Sequence, residues 1–326
     1  MRLGVPVKAA LTESEAAFCE ALATSVFFIE KDKFRRAFSP RMGVGRAMAQ
    51  KVWFITGCSS GFGRELALAA LNHGDKVVAT ARNPEDLSGL VAQFPETCHA
   101  MAFDVTDFSN SAALFQEAVG AFGRVDVLVN NAGYGLIGSI EESSQEQIER
   151  NFAVNFFGPL ELIRVALPHF RAQKGGHVVN MSAAAAISNY AGFGIYGAAK
   201  SALESLSEAL ALEGRSFGLN VTLVQPGPFR TDFIARSLDK VEGEISEYVG
   251  TAGKFGKLIE SIDGRQPGDP ARAAQSILQA VAAERPPLRL VLGKYAIEKS
   301  RRDRDKREAE LAEWEHAGIS ADGPYL

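Results

Sequence analysis

Val52-Trp53-Phe54-Ile55-Thr56-Gly57-Cys58-Ser59-Ser60-Gly61-Phe62-Gly63 sets the architecture of this 326-residue chain. Its first four residues are apolar, with the β-branched and aromatic bias of a buried parallel strand. After the glycines, Arg64 to Leu71 has strong helix propensity and runs out near Gly74. A strand, a glycine-rich turn and a helix in that order make an anion site. Unpaired backbone N–H groups and the positive end of the helix dipole converge on whatever occupies it. The glycines let the backbone come close to a phosphate, and Ser59 and Ser60 add hydroxyl donors. The spacing is G-x-x-x-G-x-G, which differs from the commoner G-x-G-x-x-G.

The alternation of strand and helix continues through the chain. Short apolar runs at Lys76–Thr80, Met101–Val105, Val125–Val129, His177–Ser182, Leu219–Val224 and Leu288–Leu292 read as further strands. Between them, Pro84–Phe94, Ser109–Phe122, Gln145–Phe170 and Tyr196–Gly214 read as helices. Strands separated by helices of this length imply right-handed crossovers and a parallel sheet covered on both faces. The expected fold is one α/β, doubly wound Rossmann-type domain of about seven strands spanning residues 48–326. In such sheets ligands bind beyond the carboxyl ends of the strands. Gly57–Gly63, Arg82, Asp104, Asn131, Ser182 and Pro226 each follow one of these strands.

Hydrophobic residues make up 46% and charged residues 23%, as in ordinary globular chains. A formal net charge of −4 leaves no electrostatic footprint for nucleic acid. Cys19, Cys58 and Cys98 are far apart and lack metal-ligand spacing, which fits reduced thiols in the cytoplasm. No apolar run approaches the ~18 residues of a membrane span. Residues 1–47 lack this periodicity and read as an upstream extension, poorly ordered or created by a misplaced start, with a helical arm as the alternative.

Tyr196 and Lys200 are spaced i, i+4 and share a helix face. A phenol of pKa ~10 exchanges protons poorly at neutral pH. An ammonium held close favours the phenolate and draws that value toward the working range. Ser182, at the end of the fifth strand, is expected to hydrogen-bond a substrate oxygen whose proton Tyr196 gives or takes. Thr56-Gly57-x-x-x-Gly61-x-Gly63, Asn130-Asn131-Ala132-Gly133, Asn155, Ser182, Tyr196-x-x-x-Lys200 and Pro226-Gly227 together resemble the short-chain dehydrogenase/reductase family. The match is full over about residues 50–235 and looser beyond, where the tail is similar in architecture to 17β-hydroxysteroid and retinol dehydrogenases.

The resemblance implies hydride transfer between a nicotinamide and a carbonyl or alcohol, with Ser182, Tyr196, Lys200 and Asn155 as the catalytic set. Asn155 would prop a proton-relaying water toward Lys200, and Lys200 would also hold the nicotinamide ribose. Gly57, Ser59, Ser60, Gly61, Phe62 and Gly63 would cradle the cofactor. Asp104 and Val105 would meet its adenine, and Asn131, Ala132, Gly133, Pro226, Gly227 and Thr231 would line the rest. The second strand ends Thr80-Ala81-Arg82-Asn83, with no acid to take a ribose diol. Arg82 is placed instead to pair with a 2′-phosphate, which favours NADP(H) over NAD(H). Ile187, Tyr190, Phe193, Phe229 and Phe233 are expected to line a hydrophobic pocket. A glycine-punctuated lid over about 228–262 would close it, and C-terminal helices would follow over about 269–316. The partners implied are a small-molecule carbonyl or alcohol and a second copy of the chain, as homodimer or homotetramer; no metal is expected. Two other readings stay open: a cofactor-binding sensor or scaffold without turnover, and a sugar-nucleotide epimerase of related fold.

Overall fold

The computed structural model describes residues 50–323; the expected extension over residues 1–47 lies outside them. The described residues contain a seven-stranded parallel sheet in the order β3-β2-β1-β4-β6-β7-β9. These strands are β1 (Val52–Ile55), β2 (Lys76–Ala81), β3 (Cys98–Ala102), β4 (Val127–Asn130), β6 (Gly176–Met181), β7 (Leu219–Pro226) and β9 (Arg289–Leu292). The doubly wound α/β fold expected from the alternating pattern is the fold observed.

All four residues of β1 are buried, and their side chains alternate between two cores. Trp53 and Ile55 join Leu66 and Ala70 of α1 (Gly61–His73) and Ile277 of α10 (Pro270–Ala282). Phe54 points the other way, toward Phe115 of α3 (Ser111–Phe122) and Leu162 and Phe170 of α5 (Gly158–Ala172). A strand buried on both faces needs no polar residue, which is why these runs are continuously apolar. Each large side chain so buried stabilises the fold by ~1.5–3 kcal/mol before entropy is counted.

The chain order reverses between β1 and β4, which opens a crevice at their carboxyl ends. Two features there differ from the sequence reading. The helix expected over Gln145–Phe170 is broken into α4 (Gln145–Phe152), a π turn (Ala153–Phe157) and α5. The glycine-punctuated stretch after β7 is built rather than loose. It carries α8 (Phe233–Arg236), β8 (Leu238–Lys240) and α9 (Lys254–Ser261), and β8 pairs in parallel with β5 (Gly135–Ile137). Between β6 and β7 run α6 (Ala184–Ile187) and α7 (Gly194–Glu213). The chain closes with α11 (Lys294–Ile319), which runs a little past the C-terminal helices expected over about 269–316.

Candidate active site

Thr56 holds the glycine turn against the end of β4. Its backbone N–H donates to Val129 O, and its hydroxyl oxygen accepts from the N–H groups of Asn131 and Ala132 at 2.9 and 3.0 Å. Asn131 returns the tie by donating Nδ2 to Thr56 O and Gly57 O. Gly57 and Gly61 sit at φ of +72° and +57°, where a side chain is strained. Gly63 has no room for one: a Cβ there would stand 2.3 Å from Gly57 O. The N-terminus of α1 has no side-chain cap and no acid in its first turn, so its N–H groups face the crevice. From above, Thr231 approaches Gly61 and Phe229 packs on Phe62 at 5.2 Å. The residues present therefore fit a dinucleotide pyrophosphate: a cradle that a Cβ would fill, at an uncapped helix end.

Cys58 lies under this turn, fully buried, and burial pushes its thiol up to about 12, so it fills space and does no thiolate chemistry. Arg82, directly after β2, is exposed and makes no ion pair among the described residues. Asp104 and Val105 fall beyond β3, which ends at Ala102. One Asp104 oxygen accepts from the Thr106 N–H and hydroxyl, a turn cap that leaves the second oxygen for a ligand. Pro226 ends β7, and Gly227 N–H donates to Leu292 O.

Tyr196 and Lys200 project from α7 and are 6% and 4% exposed. The Lys200 ammonium lies 5.9 Å from the Tyr196 ring centroid and donates to Met181 O at 2.9 Å. Burial drives both groups toward neutrality: the phenol is pushed up, and the lysine is pushed down to about 8. The downward pull of the ammonium on the phenol, expected from the spacing, is overridden here by desolvation. Asn155 sits fully buried on the π turn, where an interrupted helical ladder marks many functional sites. It donates Nδ2 to Tyr134 O and Asn151 O, while its Oδ1 meets no donor. A Cβ on Gly133 would fall 2.7 Å from that Oδ1 and 3.2 Å from Lys200 Nζ. The missing side chain thus brings a buried orphan acceptor and a buried ammonium to one point.

Ser182 departs from its expected role. Its hydroxyl donates to the buried Glu204 Oε1 at 2.5 Å, and Glu204 is held from the other side by Gln225 Nε2. A hydroxyl has one proton, and this one is taken. Side chains alternate along an extended chain. Asn180 and Ser182 face α7, where Asn180 bonds Ser207, while Ala183 turns toward the phenol and packs with Tyr196, Phe193 and Ile137. The position beside the phenol is held by a methyl group.

Around Tyr196 the walls are aromatic. Phe193 meets it edge-on at 5.2 Å and Phe233 lies tilted to it at 6.0 Å, while Phe255 of α9 packs on Phe193 and stacks on Tyr190. Leu238 and Ile259 complete the cluster. Two expected pocket residues are not part of it. Phe229 belongs with Phe62 over the glycine turn, because Gly268 lies against its ring and fixes it there. Ile187 ends α6, and its carbonyl accepts from Arg307 Nη2 at 3.0 Å.

A family model described as short chain dehydrogenase matches residues 51–242, which include the glycine turn, Asn155, Tyr196 and Lys200. This chain belongs to the short-chain dehydrogenase/reductase family. Among its relatives in that family is the oxidoreductase BOA17 of Botryotinia fuckeliana, 34% identical over 83% of this chain and 99% of that protein. A short-chain dehydrogenase from Streptomyces avermitilis has a similar structure, with a TM-score of 0.80 and 41% identity over 85% of this chain and all of that one. A short-chain dehydrogenase/reductase from Burkholderia phymatum, solved in complex with NAD, has a TM-score of 0.71 and 26% identity over 80% of this chain and 95% of that one.

Within this short-chain dehydrogenase, the sequence reading missed Ala183, Glu204, Phe255 and Ile259. Phe255 and Ile259 carried a signal, being apolar at i, i+4 among charged neighbours. Glu204 stands one turn beyond Lys200 on the same face of α7, and that spacing could have drawn attention to it.

Proposed function

We propose that this oxidoreductase uses NADP(H) to interconvert a carbonyl and a primary or secondary alcohol on a hydrophobic substrate, with Tyr196 exchanging the proton. The observation that carries the reading is a buried phenol walled by Phe193, Phe233 and Ala183, with Lys200 one helical turn behind it. The bound nicotinamide supplies or accepts the hydride. Burial keeps the Tyr196 phenol protonated across the neutral range, ready to give its proton to a carbonyl oxygen as negative charge develops there. Lys200, held by Met181 O, stands behind the phenol and is the group through which the proton is replaced. The orphan Oδ1 of Asn155, beside Lys200 Nζ, gives a relaying water an acceptor. Apolar walls keep bulk water from the reacting carbon.

Arg82 supports NADP(H): it is a free guanidinium at the end of β2 and can take a phosphate bidentately. The same proposal places the enzyme in the cytoplasm as a homodimer or homotetramer built on α5 and α7. Among the described residues no helix is long and apolar enough to cross a membrane.

One observation favours a second reading, a cofactor-binding sensor with little turnover: the methyl of Ala183 and the committed hydroxyl of Ser182 leave the phenol without a hydroxyl partner. Oxidation of NADPH and NADH by the full chain over a panel of hydrophobic ketones and aldehydes separates the two. The enzyme reading expects turnover with NADPH that falls at least a thousandfold in Tyr196→Phe while NADPH still binds. Tight NADPH binding with no turnover on any substrate would install the sensor. Arg82→Ala is expected to weaken NADPH by tenfold or more and NADH little; equal losses would return the preference to NAD(H).

A further inference from the structure

A second cluster of ionisable groups stands at the outer edge of the aromatic walls. Lys299, on α11, is 9% exposed, and its ammonium lies 3.7 Å over the face of Tyr190. It makes no hydrogen bond or ion pair among the described residues. The Tyr190 hydroxyl is 2.9 Å from that of Tyr295, one turn before Lys299 on the same helix. Arg302 is close enough to act on both phenols and on Lys299, and it is exposed, so the corner opens to solvent there. Asp303, the acid whose charge acts on Lys299, is paired with Arg307 at 2.7 Å, and Glu298 on the same helix faces Lys294 at 3.8 Å. Neither carboxylate pairs with Lys299 or Arg302.

A buried ammonium without a carboxylate partner is costly. The ring face of Tyr190 offsets part of that cost, and burial still pushes Lys299 down to about 8. Among the described residues the ammonium has the Tyr190 ring face as its partner and no carboxylate or carbonyl. The corner adjoins the reaction site: the Tyr190 ring lies 6.4 Å from that of Phe193, which packs directly on Tyr196. We propose that this corner is an anion subsite of the same pocket, and that the substrate is a hydrophobic carbonyl compound carrying a carboxylate at the end remote from the reacting group. Lys299 and Arg302 receive the carboxylate, while the stem lies along Tyr190, Phe255 and Phe193. This rests on the pocket assigned above but concerns binding, so it stands or falls separately from turnover.

The test is calorimetric titration of the full chain, with and without NADPH, by ω-oxo-ω-phenylalkanoates from hexanoate to dodecanoate, each beside its primary amide. The acid is expected to bind about tenfold tighter than the amide at the best chain length, as a hydrogen bond to a charged partner would give. That ratio should fall to near one in Lys299→Met and be largely kept in Lys299→Arg. If Lys299 only clamps Tyr190, Lys299→Met weakens acid and amide together and the ratio stays, which overturns the proposal. Equal binding of acid and amide by the wild type at every length overturns it too. Should Lys299→Met not fold, Arg302→Gln is expected to lower the same ratio, and no change in it counts against the subsite. Acid-selective binding without reduction would refute the enzymatic reading and leave the subsite standing.

Discussion

Lys200 illustrates how a single buried charge ties stability to chemistry. Its ammonium, ordinarily near 10.5, is pushed down to about 8 because the protein surrounds it more poorly than water does. Between those two pH values the unfolded chain binds a proton that the native chain does not, so native stability rises with pH across the window. Tyr196 acts in the opposite sense, but only above ~10, where an unfolded phenol ionises and the buried one does not. Chemical denaturation at pH 7.5 and 9.5 should therefore show wild type gaining about 2 kcal/mol relative to Lys200→Met, at ~1.4 kcal/mol per unit. Lys299 contributes with the same sign in both proteins and cancels from the difference. A pH-independent difference would mean that the ammonium is better solvated than the structure places it. At the same scale, Ser182→Ala strips Glu204 of a donor and is expected to cost about 1–3 kcal/mol of stability with little change in kcat. Ala183→Ser adds a hydroxyl facing Tyr196 and should raise kcat about tenfold or more on ketones, since a well-placed donor to a developing oxyanion is worth at least that. If instead Ser182→Ala abolishes turnover, the assignment of the two positions is reversed.

Elements differ in how plainly the chain announces them. The strand β1 was legible because a strand covered on both faces has no polar positions, and a run such as Val52–Ile55 cannot sit elsewhere. The edge strand β3 exposes His99 and Ala102 and begins three residues before the expected Met101. The pair Tyr196 and Lys200 was legible because helical spacing alone puts both on one face. The break at Ala153–Phe157 was not, although Gly158-Pro159 was a hint, since proline withdraws an N–H from the ladder. Which of Ser182 and Ala183 faces the phenol depends on strand parity, and a one-residue shift exchanges the two faces. Asn180, paired with Ser207 on α7, fixes that parity only once the fold is known. The stretch after β7 reads as loop because Gly243, Gly250 and Gly253 interrupt it, yet its helix α9 lays Phe255 and Ile259 onto the Tyr196 cluster. Phe255 stacks on Tyr190 and meets Phe193 edge-on, so it forms one wall of the aromatic cluster around Tyr196. Phe255→Ala should raise KM for hydrophobic ketones roughly tenfold and leave NADPH affinity within about twofold, as the loss of one aromatic contact predicts. A change in cofactor affinity as large as that in KM would mean that α9 belongs to the cofactor site.

For the whole molecule, the open question is what the two long helices on one face of the sheet do with their outer sides. α5 and α7 bury Leu162, Phe170, Leu203 and Leu210 against the core. Yet Leu212, on α7, is 61% exposed, and Phe157, in the π turn leading into α5, is 47% exposed. Scattered apolar residues are ordinary on a surface, but large ones on the helices that carry Tyr196 and follow Asn155 offer a second copy something to bury. A symmetric pair of such helices needs to cover ~800 Å² on each partner to be stable. Sedimentation equilibrium of the full chain should then give at least twice the monomer mass of 35.0 kDa, falling toward the monomer in Leu212→Glu. A charge at the rim weakens association without entering the core, so the variant should keep its fold by circular dichroism. Because α7 also carries Tyr196 and Lys200, dissociation should lower kcat along with mass if the partner stiffens that helix. Wild type at monomer mass would show that α5 and α7 face water and that the site is complete within one chain.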